Sequence, residues 1–157
     1  MDVMLVGGIS PVMRKLILKL YKEGHRIHVL SGTRNPDIHY EHVFERYDFP
    51  YDSASVEEVF KSVDPDVTIL LGAFDGNYTG EDPRKDAVSF TAGVQNILLS
   101  WATLKKGRLI YISSSEVYGS SYQKTVSESV SPLPRGIRPI MLYQGEETVR
   151  FYQEKLK

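Results

Sequence analysis

Cysteine is absent from the 157 residues, which excludes a disulfide framework, a thiolate metal centre and a cysteine nucleophile. An excess of charge is absent too: 19 basic residues face 20 acidic ones, interspersed along the chain, for a formal net charge of −1. That balance leaves no electrostatic footprint for nucleic acid or an anionic membrane, so neither is expected as a partner. Long hydrophobic runs are missing. The longest, such as residues 67–73, are too short to span a bilayer, and the first residues lack the charged flank and apolar core of a signal peptide. The expected location is cytoplasmic. The triplet Asn77-Tyr78-Thr79 matches a glycosylation acceptor, which matters only in a secreted protein. No internal repeat or low-complexity segment is evident.

What is present is an ordinary core-forming composition, 41% hydrophobic and 25% charged, at a length that suits one domain over residues 1–157. Asp2 to Val6 reads as a short apolar strand running into Gly7-Gly8. Ser10-Pro11 then supplies a hydroxyl N-cap with proline at the first helical position, and Val12, Met13, Leu16, Ile17, Leu20 and Tyr21 recur at helical spacing up to Gly24. Arg26 to Leu30 is the next strand, so the chain opens with a β-turn-α-β unit of about 30 residues, the size of a parallel crossover. Residues 37–46 are expected as a short helix, 47–51 as a weak strand, 55–63 as an amphipathic helix and 67–71 as a buried strand. A long helix over 83–104, a strand over 108–113, a Ser- and Pro-rich loop over 119–139 and a helix over 140–157 complete the reading. Strands alternating with helices predict an α/β fold with a doubly wound parallel sheet.

Two stretches carry chemistry. Gly7 and Gly8 follow the first strand, where a tight turn lets backbone approach a pyrophosphate at a helix N-terminus; the bland alternative is a sharp strand-to-helix turn and nothing more. The run Tyr111-Ile112-Ser113-Ser114-Ser115-Glu116-Val117-Tyr118-Gly119 ends an apolar strand in a cluster of hydroxyls, at the strand end where open α/β sheets bind ligands. This run resembles the Ser-Ser-x-x-Val-Tyr-Gly motif of the extended short-chain dehydrogenases, the NAD(P)-dependent nucleotide-sugar epimerases and dehydratases. The resemblance extends from the first strand to the last helix and implies a Rossmann-like dinucleotide-binding domain. Because the family normally continues for about as long again, it also implies a chain truncated relative to the family and lacking the substrate domain.

The resemblance places the three loop glycines of the family at Gly7, Ser10 and Met13, so two of the three are changed. With Gly8, Pro11 and Val12, these residues form the expected phosphate loop; methionine at the third position should push the helix away from the sheet. After the second strand the chain reads Leu30-Ser31-Gly32-Thr33-Arg34, with no acid for ribose hydroxyls and an arginine in the pattern that pairs with a 2′-phosphate. The implied cofactor is therefore NADP or NAD, with NADP preferred. A solvated loop arginine is the alternative reading. Asp52 matches the family's aspartate near the adenine, and Gly72-Ala73 its small-residue turn after the fourth strand; turn capping and close packing are the plain uses of these residues.

In the family a tyrosine is general acid or base, and a lysine four residues on lowers its pKa and holds the nicotinamide ribose. A serine or threonine orients the substrate hydroxyl. These roles fall on Ser114 and Tyr143 as catalytic candidates, with a hydrogen-bonded turn serine and a surface aromatic as the bland alternatives. Residue i+4 from Tyr143 is Glu147, and none of the ten tyrosines has lysine at that spacing. A carboxylate there disfavours a phenolate instead of stabilising it. Arg150 is two helical turns away, about 10 Å, and the family's asparagine in the long helix reads Phe90. His39 and His42 have a chelating spacing but no third ligand, so no metal is expected; His25 and His28 read as structural.

Two functions stand side by side. One is the cofactor-binding part of an epimerase, dehydratase or reductase-like oxidoreductase or isomerase, weak or inactive alone, with a nucleotide cofactor and a nucleotide sugar as small-molecule partners. The other is a non-catalytic Rossmann-like module for nucleotide sensing or assembly. In both, the family resemblance implies a homodimer through the long helix and the tyrosine helix.

Overall fold

The computed structural model describes residues 1–7, 11–31, 42–48, 53–71, 82–105, 107–119 and 125–155. Five parallel strands form one sheet: β1 (Asp2–Val6), β2 (Arg26–Ser31), β3 (Glu45–Asp48), β4 (Val67–Leu70) and β5 (Arg108–Tyr111), in the order β3-β2-β1-β4-β5. Four helices accompany them: α1 (Pro11–Lys22), α2 (Ser53–Val63), α3 (Pro83–Leu104) and α4 (Ile137–Lys155), with a 3₁₀ turn over Ser115–Tyr118. The chain crosses from β1 outward to β3, returns through α2 to β4 and proceeds to β5, so the direction of winding reverses beside β1. Among the described residues this is a doubly wound parallel sheet.

Alternation along β1 shows why both faces are covered. Met4 and Val6 join Leu30, Leu70, Phe60 and Ile97 in a core roofed by α2, α3 and α4. Val3 and Leu5 face the other way, with Ile27, Val29, Met13 and Ile17 under α1 alone. The larger core therefore has three helices above it and the smaller has one.

Local signals explain the element ends. Gly24, at φ +79°, closes α1: its N–H bonds to the Tyr21 carbonyl at 2.9 Å and the His25 N–H to the Leu20 carbonyl at 3.1 Å, the paired bonds of a Schellman motif. The Asp82 carboxylate accepts from the Arg84 N–H at 3.2 Å and so starts α3, with proline at the first position. At the foot of the sheet the Asp2 N–H donates to the Asp66 carboxylate at 2.8 Å, and the Asp66 N–H donates to the Asp2 carbonyl at 2.9 Å. The Asp2 side chain also reaches Arg26 at 2.6 Å and His28 at 2.9 Å.

Several expected boundaries move. In the described part of 37–46, residues 42–44 are not helical and Glu45 opens β3, so the weak strand expected at 47–51 lies at Glu45–Asp48. Pairing with β2, in which His28 to Ser31 are all buried, overrides the helical reading of this segment. Helix α2 starts two residues early at Ser53, and β4 and β5 end at Leu70 and Tyr111. The loop expected to reach 139 gives way to α4 at Ile137, because Pro139 falls in the first turn, where no intrahelical N–H donor is needed.

Candidate functional site

Parallel strands bring the turn after β1 and the turn after β5 to the same edge of the sheet. Gly7 sits at φ +130°, its N–H bonds to the Leu30 carbonyl at 3.1 Å, and a Cβ built on it would lie 2.8 Å from the Leu71 carbonyl oxygen. Only glycine fits that backbone and that approach. Pro11 and Val12 open α1 on its exposed side. Met13, at the third glycine position of the expected loop, is fully buried against the β1–β2 strands, so α1 is seated on a thioether. Gly8, Ser10, Arg34, Asp52, Gly72 and Ala73 lie outside the described residues.

After β5, the hydroxyl run has clear local duties. Ser114 is the N-cap of the 3₁₀ turn, its Oγ accepting from the Glu116 N–H at 3.3 Å. Val117 is buried in the larger core. Gly119 closes the turn at φ +73°, and the Leu133 carbonyl would lie 2.5 Å from a Cβ there. Glu116 pairs with Arg138 near the start of α4, tying turn and helix together.

Tyr143 lies on α4, half-buried against the larger core, and the 3₁₀ turn packs on the same helix. The structure thus brings the elements carrying Ser114 and Tyr143 together. The charges around them follow another pattern. Arg150 pairs with Glu147 and holds Glu146 at 3.1 Å, while the second Glu146 oxygen accepts from Ser113 Oγ at 2.5 Å. Arg150 is therefore committed to two carboxylates on its own helix. Phe90, in the place of the expected asparagine, is a core side chain, 5% exposed.

The residues that fasten α4 to β5 were not singled out from the sequence. Tyr111 Oη donates to the Leu142 carbonyl at 3.2 Å and lies over Gly145; burial first, and the nearby Glu146 charge second, push its phenol well above the ordinary tyrosine value. It stays protonated and serves as a donor. The legible signal was Gly145, a glycine inside a helical run, which marks a close approach. Of the histidines, His42 stacks on Tyr21 with ring centroids 4.1 Å apart, and His28 is buried beside Asp2; His39 lies outside the described residues. Among the described residues no group of three His, Cys, Asp or Glu could hold a metal ion, and no helix is long and apolar enough to cross a membrane.

Residues 3–146 match the NAD dependent epimerase/dehydratase family. The chain belongs to that family. Solved structures of similar fold include the UDP-glucose 4-epimerase of Thermotoga maritima with UDP-glucose, at 18% identity and a TM-score of 0.85, covering 99% of this chain and 52% of that one. The Thermus thermophilus UDP-glucose 4-epimerase complex with NAD matches at 19% identity and TM-score 0.83, covering 99% and 52%. The Brucella ovis enzyme in complex with NAD matches at 20% and 0.79, covering 96% and 47%. No curated protein matches the chain in sequence at a significant level. At these identities the likeness is one of fold, and this epimerase/dehydratase-family chain spans about half the length of those relatives.

Proposed function

We propose that this chain is the cofactor-binding module of an epimerase/dehydratase-family protein, which holds a nicotinamide dinucleotide at the β1–α1 turn and is weak or inactive in catalysis alone. The observation that carries the reading is the pairing of Glu147 with Arg150 four residues beyond Tyr143. An acid–base tyrosine needs a neighbouring cation to favour its ionised form, and Arg150, the cation seven residues on along a similar helix face, is paired with two carboxylates. Gly7 supports dinucleotide binding, because its left-handed turn brings bare backbone to the mouth of the sheet. A bound dinucleotide would supply hydride chemistry. The chain's own part is to seat the phosphates at the start of α1 and to present the Ser114 and Tyr143 hydroxyls near β5. NADP is preferred over NAD on the sequence after β2, where Arg34 stands and no acid does. A nucleotide sugar is the proposed substrate class, and the location is cytoplasmic.

A second reading is favoured by Met13 and Phe90, both buried where the family pattern has a glycine and a polar relay residue. On that reading the fold is kept as a nucleotide-sensing or assembly module with no reaction of its own. In both readings the chain is a homodimer across α3 and α4, whose exposed Val88, Leu99 and Phe151 supply apolar surface.

Titration calorimetry with NADPH and NADH tests the binding. Heat of binding with thermal stabilisation supports it, and silence in both at millimolar nucleotide defeats it. The response of Glu147→Lys separates the two readings: the first gains dinucleotide affinity or turnover, the second gains neither.

A further inference from the structure

We propose that the outer face of α1 docks an acidic amphipathic helix of a partner protein. The inference stands apart from the β1–α1 turn and needs no cofactor. Charge balances over the whole chain, yet four of its 19 basic residues, Arg14, Lys15, Lys19 and Lys22, fall on the 12 residues of α1 with none of its 20 acids. Arg26, Lys61, Arg138 and Arg150 each pair with a carboxylate, whereas among the described residues the four cations of α1 have no acidic partner. This arrangement works against the helix itself. Arg14 lies in the first turn, where the helix dipole favours acids, and Lys15 and Lys19, four apart, set like charges one above the other. Helices commonly offset such charges with acids on the same face; here the offset is left to another molecule.

The face is apolar at its centre. Helical geometry places Lys15, Leu18 and Lys22 on one stripe, with Arg14 and Tyr21 on one flank and Lys19 on the other. Leu18 and Tyr21 are 42% and 50% exposed. A groove of about 360 Å³ lies there, lined by Lys15, Leu18, Lys19, Lys22 and Glu23, and Glu23 is turned to His25 at 3.7 Å. The stripe is opposite Met13 and Ile17, which are buried against the sheet, so it points away from the strands and stays open whatever lies beside β5. These features select the occupant. Lys15, Lys19 and Lys22, spread over two turns or about 10 Å, match glutamates at positions i, i+4 and i+7 of a facing helix. Leu18 between them takes an apolar side chain, which a phosphate backbone or a polysaccharide does not offer. The apolar side of α1 is spent on the core and cannot sink into lipid. A second copy meeting through the same face would set lysine against lysine.

Fluorescence anisotropy on the intact chain tests this, with a fluorescein-labelled synthetic helix of about 20 residues that bears glutamates at i, i+4 and i+7 and leucines beside them. Two control helices carry serine for leucine or lysine for glutamate. The expected result is saturable binding of the first helix, binding of both controls weaker by about tenfold or more, and the same loss for the first helix in Leu18→Ser. Lys15→Glu/Lys19→Glu should reverse the preference, so that the lysine helix binds and the glutamate helix does not. All three positions are exposed, so the core is untouched, and Lys15→Gln/Lys19→Gln should lose binding without reversal. No binding of the glutamate helix, equal binding of the serine control, or tighter binding of heparin or phosphatidylserine vesicles that Leu18→Ser leaves unchanged would each overturn the proposal. Self-association of the chain that the glutamate double variant abolishes would also overturn it, by making a second copy the occupant.

Discussion

The phenol of Tyr111 occupies the space that a side chain at position 145 would need: a Cβ built on Gly145 would lie 2.3 Å from Tyr111 Oη and 2.7 Å from Cζ. Strand β5 and helix α4 are therefore matched at an aromatic–glycine contact. Gly145→Ala is expected to lower stability by about 1–3 kcal/mol in denaturant unfolding, because the ring is half-buried and bonded to Leu142 and cannot simply swing away. Adding Tyr111→Val should recover part of the loss, and a purely additive double variant would show that the contact is not the cause.

Gly7→Ala should cost about 1–3 kcal/mol, since it combines positive φ with a close approach to the Leu71 carbonyl. If dinucleotide binding uses this turn, calorimetry on the folded variant should also show its affinity falling.

Glu147→Lys restores the cation four residues after Tyr143 and removes one partner of Arg150. For an impaired oxidoreductase the expected gain in dinucleotide affinity or turnover is about tenfold, the equivalent of about 1.4 kcal/mol. A module without chemistry should gain neither.

Asp2 is held below its ordinary 3.8, first by the hydrogen bond from Arg26 and then by that from His28. A carboxylate depressed in the folded state adds stability that is fully present above its unfolded value and is lost as pH falls through the folded value. Asp2→Asn should accordingly melt earlier than the parent at neutral pH, with the gap closing as the pH drops below 3.8. Melting curves across that range check the sign.

Thr68 is fully buried on the larger core's side of β4, and its hydroxyl has no hydrogen-bond partner among the described residues. Thr68→Val should raise stability by about 1 kcal/mol, read from the denaturant midpoint.

Much of this architecture was legible in the residues. The β1–α1–β2 unit and α3, Pro83–Leu104, follow from apolar periodicity and, at the end of α1, from Gly24, which act locally. β3 was misplaced because its pairing with β2 is a tertiary demand that a short polar segment does not announce. The site divides the same way. Ser114, Val117 and Gly119 were found by pattern, and their roles as cap, core and turn are local. The tie from Ser113 through Glu146 to Arg150 joins residues 33 apart in sequence and depends on how α4 crosses β5, which spacing alone does not disclose.

The foot of the sheet has a consequence for how this chain tolerates change. Asp2 and Asp66 fasten three neighbouring strands at the end opposite the β1–α1 turn, so the scaffold holds its shape independently of what that turn does. Residues at the turn end of the strands can therefore be exchanged without unravelling the frame. Architecture is thus anchored at one pole of the sheet, and whatever the turns bind is left to the other.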